Sequence, residues 1–464
     1  IPEDWSKDVT PRGYGEQVAL YSEMAITAAK SDRNMLAELI DHIENLPTSE
    51  QEKLLFHLRS DAVTTMPEAD RLSLWTALVD LVTKHRKFSD AGWAMKQEQV
   101  DRIAALAERL APDAPAFRHQ RLFSERDFDL YEGKGNYEDQ SKNLEVRRQE
   151  AVEEIAADGG AQAVLAFAAA VQSPWRVGIA FGAVAGPEVD EAVLPGLLES
   201  GQKQLAQFTA GFVWSHFRVF GWQWVDGIDT TRWSSSQIGQ LLAFLPFALS
   251  TWERSERLLG ADEAAYWSKA NADPYEADTS LELAIDLLIQ HRRPIAALRC
   301  LNKRLHDQQP FDGGHAVQAL LAALESTEGI HSMDACQTVE IIKALQDDSN
   351  TNPDALFQVE WAYLPLLDRH SGASPKLLGR RLAVEPAFFC EVIRLVFRSK
   401  KEEHPSDEPT EGRKRIAGNA YRLLSEWRTP PGCQADGTYN GNALTPWIDA
   451  VKKECAETGY LEIA

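Results

Sequence analysis

Residues 281–305 read LELAIDLLIQHRRPIAALRCLNKRL, and this stretch decides the fold class. Apolar side chains recur at helical spacing before and after the short basic turn His291-Arg292-Arg293. Pro294 follows the turn at the first position of a helix, where its missing N–H leaves no hydrogen bond unmade. The stretch therefore predicts a hairpin of two helices. The apolar face of the first helix consists of Leu281, Ala284, Ile285, Leu288 and Ile289, and that of the second consists of Ala297, Leu298, Leu301 and Leu305.

Similar helix pairs recur along the chain at intervals of roughly 35 to 45 residues, as at 315–345 and 355–382. This period is that of tetratricopeptide or HEAT-like arrays, although the consensus positions of the tetratricopeptide repeat do not recur in register. No stretch shows the alternation of apolar and polar residues that is typical of a β-strand. The sequence therefore predicts an all-α fold, an irregular α-solenoid of helical hairpins that is HEAT-like or tetratricopeptide-like.

Two breaks in the helical periodicity divide the chain. A segment with Pro and Gly but no clean periodicity lies at 112–140, and a charge-mixed segment with several prolines lies at 399–415. We predict an N-terminal helical subdomain at 1–111, an irregular connector at 112–140, a helical-repeat solenoid at 141–398, a charged loop at 399–415 and a C-terminal helical cap at 416–464.

The charge balance restricts the partners. The 464 residues contain 70 Asp plus Glu against 48 Lys plus Arg, which gives a formal charge of −22. This charge repels phosphate backbones, so broad nucleic-acid binding is disfavoured and a protein or peptide partner is expected. The longest apolar stretch, residues 161–171, is well short of the roughly 20 residues that cross a bilayer, so no membrane span is predicted.

The five cysteines are odd in number, widely spaced and without a CxxC pair. This number and distribution of cysteines favours a reducing, cytoplasmic compartment, and their spacing is not typical of a metal site. The sequence also contains no phosphate-binding loop, no glycine turn for a dinucleotide, and no HExxH or GxSxG motif. We therefore predict no cofactor, no bound metal and no catalytic residue.

The most unusual segment is 208–233, where Phe and Trp residues are interleaved with basic side chains. Aromatic clusters form binding hot spots or sugar platforms, but part of this segment has helical spacing, and core packing is the alternative interpretation. Trp222 and Trp224 precede a predicted turn at Asp226-Gly227, and we expect both rings to be partly exposed. The predicted binding residues are Arg218, Trp222, Trp224 and Trp233.

Short motifs outside this segment are spread over most of the chain. They are the helix with Trp93, the segment Arg121-Leu122-Phe123, the helix with Arg147-Arg148, and the series Trp427, Pro430-Pro431-Gly432, Asp436-Gly437 and Trp447. Together they resemble the helical-repeat regions of large bacterial multidomain proteins, including the sensor arms of STAND-type NTPases in phage defence. The resemblance implies repeats that recognise a protein ligand while a separate NTPase or effector part performs the chemistry. The resemblance assigns a binding role to no residue of this chain.

Two functional hypotheses follow. The first is a non-catalytic module for protein interaction or ligand sensing, with flanking domains in a larger bacterial chain. The alternative is an all-α enzyme, an (α/α) toroid acting on a carbohydrate, in which the aromatic segment binds the sugar and Asp226 donates a proton. Asp229 lies in the same segment, 208–233, and is the second acidic residue considered for this chemistry. The alternative therefore requires Asp226 to face a cleft.

Overall fold

The computed structural model describes residues 11–131, 136–277, 280–326, 334–367, 372–397, 411–434 and 438–458. In these ranges the chain forms 23 α-helices, joined in places by short 3₁₀ segments, and no β-strand. The prediction of an all-α fold is confirmed. The arrangement of its hairpins as a solenoid stays a prediction.

The chain forms two compact units, residues 1–245 and 246–464. The helices of the first unit are α1 (Pro11–Ala29), α2 (Arg33–Asp41), α3 (Thr48–Leu58), α4 (Asp61–Thr64), α5 (Glu68–Lys87), α6 (Gln97–Leu110), α7 (Pro115–Arg118), α8 (Tyr137–Ala170), α9 (Pro174–Val184), α10 (Asp190–Val193), α11 (Lys203–Gly227) and α12 (Ser235–Ala243).

The helices of the second unit are α13 (Leu249–Leu259), α14 (Ala264–Trp267), α15 (Leu281–Gln290), α16 (Pro294–His306), α17 (Gly313–Ala323), α18 (Ala335–Asp347), α19 (Pro353–Ala362), α20 (Lys376–Val384), α21 (Pro386–Val396), α22 (Glu411–Glu426) and α23 (Gly441–Thr458). The hairpin predicted from 281–305 is present as α15 and α16, with Pro294 at the start of α16.

The hydrophobic core of α1–α6 is one cluster of buried side chains that begins at Ile26 and ends at Leu110. The following connector contains α7 and two 3₁₀ segments, Gln120–Phe123 and Asp127–Leu130. A buried arginine of α8 holds this connector, because the Arg148 guanidinium donates to the Leu122 carbonyl at 2.7 Å and to the Asp127 carboxylate at 2.5 Å. The connector is therefore irregular in backbone but fixed by hydrogen bonds.

The boundary between the two units along the chain, at residue 246, lies inside the range 141–398 that was predicted as one solenoid. The predicted bounds of the modules stay predictions. Leu245 and Phe247 are both buried, so no polar or Gly-rich linker marks this boundary in the sequence. Most of the predicted loop at 399–415 lies outside the described residues, but α22 begins at Glu411, so 411–415 are helical. The C-terminal helical region thus starts before residue 416.

Candidate functional site

The aromatic segment forms most of α11, which packs against α9 along three glycines. A methyl group at Gly178 or Gly182 of α9, or at Gly211 of α11, would overlap a backbone carbonyl of the facing helix. These glycines therefore let the two backbones touch, which larger side chains would prevent. The close approach brings the His216 imidazole of α11 onto α9, where its Nδ1 lies 3.0 Å from the Gly182 carbonyl oxygen.

A change of direction near the end of α11 creates the next contact. Gly221 has φ +63°, a conformation that L side chains rarely adopt, and it interrupts the helical backbone between Phe220 and Trp222. The indole of Trp224 meets the His216 ring edge-on at 4.8 Å between centroids. The Phe220 ring lies 4.5 Å from the same imidazole. His216 is thus enclosed by aromatic rings, with no exposed surface.

Asp190, the first residue of α10, completes the cluster. Trp224 Nε1 donates a hydrogen bond of 2.7 Å to Asp190 Oδ2. The other carboxyl oxygen, Oδ1, faces His216 Nε2 at 3.7 Å, beyond hydrogen-bond distance. Neither of these two buried atoms has a hydrogen-bond partner. We call Asp190, His216 and Trp224 the buried triad.

The protonation of the triad follows from its contacts. A carbonyl oxygen only accepts, so the Gly182 contact places a proton on His216 Nδ1 and leaves Nε2 of the neutral ring as an acceptor. Burial raises the pKa of Asp190 and lowers the pKa of His216, because both charged forms lose solvation. The shifts favour a proton on the Asp190 carboxyl facing Nε2, and they disfavour a buried ion pair.

A cleft of about 890 Å³ opens next to the triad. Asp190 and Trp224 form part of its wall, so a ligand in the cleft would touch the triad without entering the core. The remaining lining is aromatic, aliphatic and charged, and it consists of Pro187, Glu191, Leu194, Pro195, Phe220, Gln223, Gly227, Ile228, Asp229, Arg232 and Trp233. The volume suits a small molecule or a few residues of a peptide.

The four predicted binding residues do not form one site. Trp224 and Trp233 both line the cleft, whereas Arg218 and Trp222 do not. The exposed Arg218 stacks its guanidinium over the Trp214 ring at 4.7 Å, and the half-buried Trp222 packs on Phe217 at 4.7 Å.

The prediction that Trp222 and Trp224 are partly exposed is confirmed for Trp222 and wrong for Trp224, which is only 7% exposed. The sequence showed a turn-like pattern after Trp224. It did not show that the bend comes earlier, at Gly221, and that it turns the indole inward onto His216.

Asp190 was not among the residues predicted from the sequence, and it lies 34 residues before its hydrogen-bond partner Trp224. The range 187–193 has no motif that marks a site. A detectable signal was the pair Gly178 and Gly182, four residues apart on one helix face, since small residues at this spacing permit close helix contact. That signal locates the α9–α11 contact but not the acid.

The two acids of the enzyme hypothesis also occupy different places. Asp226 is exposed and does not line the cleft, whereas Asp229 does. The Thr231 hydroxyl and backbone N–H donate to Asp229 Oδ1 at 2.6 and 3.1 Å and lower the pKa of that carboxyl. A general acid needs a raised pKa, so Asp229 does not suit this role.

The chain matches no family model, no curated protein and no solved structure. Among the described residues, no three His, Cys, Asp or Glu side chains are grouped so that they could hold a metal ion. None of the helices in the described part of the chain combines the length and the apolar character needed to cross a membrane.

Proposed function

We propose that the protein is a non-catalytic helical module for ligand sensing or protein interaction, and that its ligand binds in the cleft beside the buried triad. The observation that carries this proposal is a cleft of about 890 Å³ that combines aromatic rings with acidic side chains. A ligand in this cleft would contact Asp190 and Trp224 from outside the core.

The lining favours a cationic group on the partner. Three acidic residues line the cleft, Asp190, Glu191 and Asp229, against one basic residue, Arg232. A cation over an indole face also gains cation–π attraction, and two indoles, Trp224 and Trp233, border the same space. A lysine or arginine side chain of a peptide satisfies both requirements. The overall charge of −22 attracts such a peptide before contact.

The resemblance to STAND-type sensor arms agrees with this role, because those repeats recognise a protein ligand. A cytoplasmic location and flanking domains in a larger bacterial chain remain part of the same proposal. The carbohydrate enzyme is not carried further, since Asp226 does not line the cleft and the pKa of Asp229 is lowered.

Peptide arrays with a central Lys, Arg, Gln or Glu test the ligand chemistry. We expect the Lys and Arg peptides to bind, and we expect Trp233→Ala to weaken them at least about tenfold, as for a central aromatic contact. Trp222→Ala is the matched control, because Trp222 is also a half-buried indole of this segment but packs on Phe217 outside the cleft. Fluorescence anisotropy of labelled peptides measures each affinity.

Asp190→Asn tests the charge while keeping an acceptor for Trp224. The pKa of Asp190 is raised, and loss of its proton as the pH rises makes the cleft more negative. We therefore expect wild-type affinity for the Lys and Arg peptides to rise with pH and this rise to vanish in Asp190→Asn. Equal binding of Glu and Lys peptides, or equal losses in Trp222→Ala and Trp233→Ala, would contradict the proposal.

A further inference from the structure

Two buried cysteines of the second unit lie in contact. Cys390 on α21 and Cys455 on α23 have their Sγ atoms 3.6 Å apart. Both side chains are almost fully enclosed, at 3% and 2% exposure. The Cys390 thiol also points to the Val451 carbonyl of α23, at 4.0 Å. The two thiols therefore face each other across one helix–helix contact.

This contact is a small part of the core. The buried cluster that joins α21 to α23 contains Cys390, Val451 and Cys455, with Phe389 and Trp447 packed against it at partial burial. Two of its three buried side chains are thus thiols. A chemical change at these sulfurs therefore acts directly on the contact that holds the 18-residue helix α23 against α21.

In the closed packing the Cys390 thiol is unreactive. Burial, with a further contribution from Cys455, raises the pKa of the Cys390 thiol to about 12, and the thiolate is the reactive form. Reaction therefore requires local opening of α23. Cys455 lies in the last turn of that helix, which ends at Thr458, and terminal turns open more easily than helix centres.

We propose that Cys390 and Cys455 are a redox modification site, at which a peroxide converts the two thiols into one disulfide that fastens α23 to α21. One thiolate attacks a peroxide oxygen, breaks the O–O bond and becomes a sulfenic acid. The second sulfur then attacks the first, forms the S–S bond and releases water. In sum, two S–H bonds are lost, one S–S bond forms, and hydrogen peroxide is reduced to two molecules of water.

The sulfurs need only a small inward movement to bond, since a disulfide length is about 2.05 Å and the neighbouring side chains are already in contact. The disulfide would close a long loop of the unfolded chain, which stabilises the closed arrangement. The oxidised protein should therefore hold α23 more firmly than the reduced protein. This site is independent of the cleft and of its proposed ligand.

Hydrogen peroxide treatment of the full chain tests the proposal. Peptide mapping should find the Cys390 and Cys455 peptides linked, and dithiothreitol should separate them. Amide hydrogen exchange in α23 should slow at least about tenfold on oxidation. Cys455→Ser should abolish both effects, whereas the matched control Cys336→Ser, at an exposed cysteine of α18, should retain them.

Val451→Ala provides the second variant, because it loosens the same cluster without removing a sulfur. We expect it to speed formation of the disulfide. The proposal is overturned if the two cysteines stay reduced in this variant. It is also overturned if they oxidise only to separate sulfinic acids, or if they link to other cysteines instead of to each other.

Discussion

Two carboxyl groups, the half-buried Asp190 in the first unit and the fully buried Glu360 in the second, show how differently the same chemical group is held in this protein. The Glu360 side chain has no exposed surface and accepts three hydrogen bonds: from Gln346 Nε2 at 2.6 Å, and from the backbone N–H groups of Leu377 and Leu378 at 3.1 and 2.9 Å. Asp190 accepts one, from Trp224, and its second oxygen faces His216 without a bond.

The difference lies in what each group stabilises. The two amides bonded to Glu360 belong to the first turn of α20, so this carboxyl group caps a helix and holds α20 against α19. Asp190 lies on a cleft wall, and its Oδ1 faces the His216 imidazole without a bond. Burial raises the pKa of both groups, so a raised pKa alone does not separate a structural acid from a candidate binding acid. Their positions do, since Asp190 borders a cleft and Glu360 caps a helix.

The largest effect is expected at Glu360. Glu360→Ala removes the acceptor of two backbone N–H groups of α20 and one of the two acceptors of Gln346 Nε2. It should lower the free energy of unfolding of the second unit by about 3 kcal/mol. Urea denaturation, with hydrogen exchange in α19 and α20 as the local readout, measures this loss. The control is Glu340→Ala, an exposed residue paired with Lys343, which should cost about 0.5 kcal/mol or less. Similar losses in both variants would mean that the Glu360 bonds are not structural.

The second effect is a pH dependence of the free energy of unfolding, in which His216 and the two carboxyl groups act in opposite directions. Burial lowers the pKa of His216, so its contribution to stability is complete above its ordinary value of 6.5 and falls as the pH drops through the lowered value. The raised pKa values of Asp190 and Glu360 act in the opposite direction, since their contributions are complete below the ordinary values of 3.8 and 4.5 and are lost as the pH rises through the raised values.

His216→Gln should therefore remove a loss of stability below pH 6.5 that reaches at most about 1.4 kcal/mol per pH unit. Urea midpoints across this range, followed by tryptophan fluorescence, measure the slope. The same substitution at the exposed His42 is the matched control. An unchanged slope in His216→Gln would show that folding does not shift the pKa of this imidazole.

The smallest effect is expected at Trp224. Trp224→Phe keeps most of the packing on His216 but removes the single donor to Asp190, so we expect a loss of about 1 kcal/mol in the free energy of unfolding. A loss as large as that of Glu360→Ala would contradict this distinction. The one hydrogen bond to Asp190 would then contribute as much to stability as the three hydrogen bonds to Glu360. Thermal unfolding of both variants side by side gives the answer.

Sequence patterns predicted the local features of the fold. The 281–305 hairpin is present because its apolar spacing and Pro294 act within a few residues. The division at residue 246 was not predicted, since buried apolar residues flank it on both sides. Aromatic composition drew attention to α11 and to Trp233, which both line the cleft. It could not separate Trp222 from Trp224, because one bend at Gly221 gives the two indoles different surroundings.

The sequence by itself determined the all-α class, the helix faces and the acidic charge, because helical spacing and formal charge depend only on the order and type of residues. Only the tertiary structure decided that Asp190 meets Trp224 and His216, and that Cys390 meets Cys455. These pairs are far apart in the chain. Their contacts depend on how glycine-lined and apolar helix faces pack, and the burial that shifts the pKa values exists only after that packing.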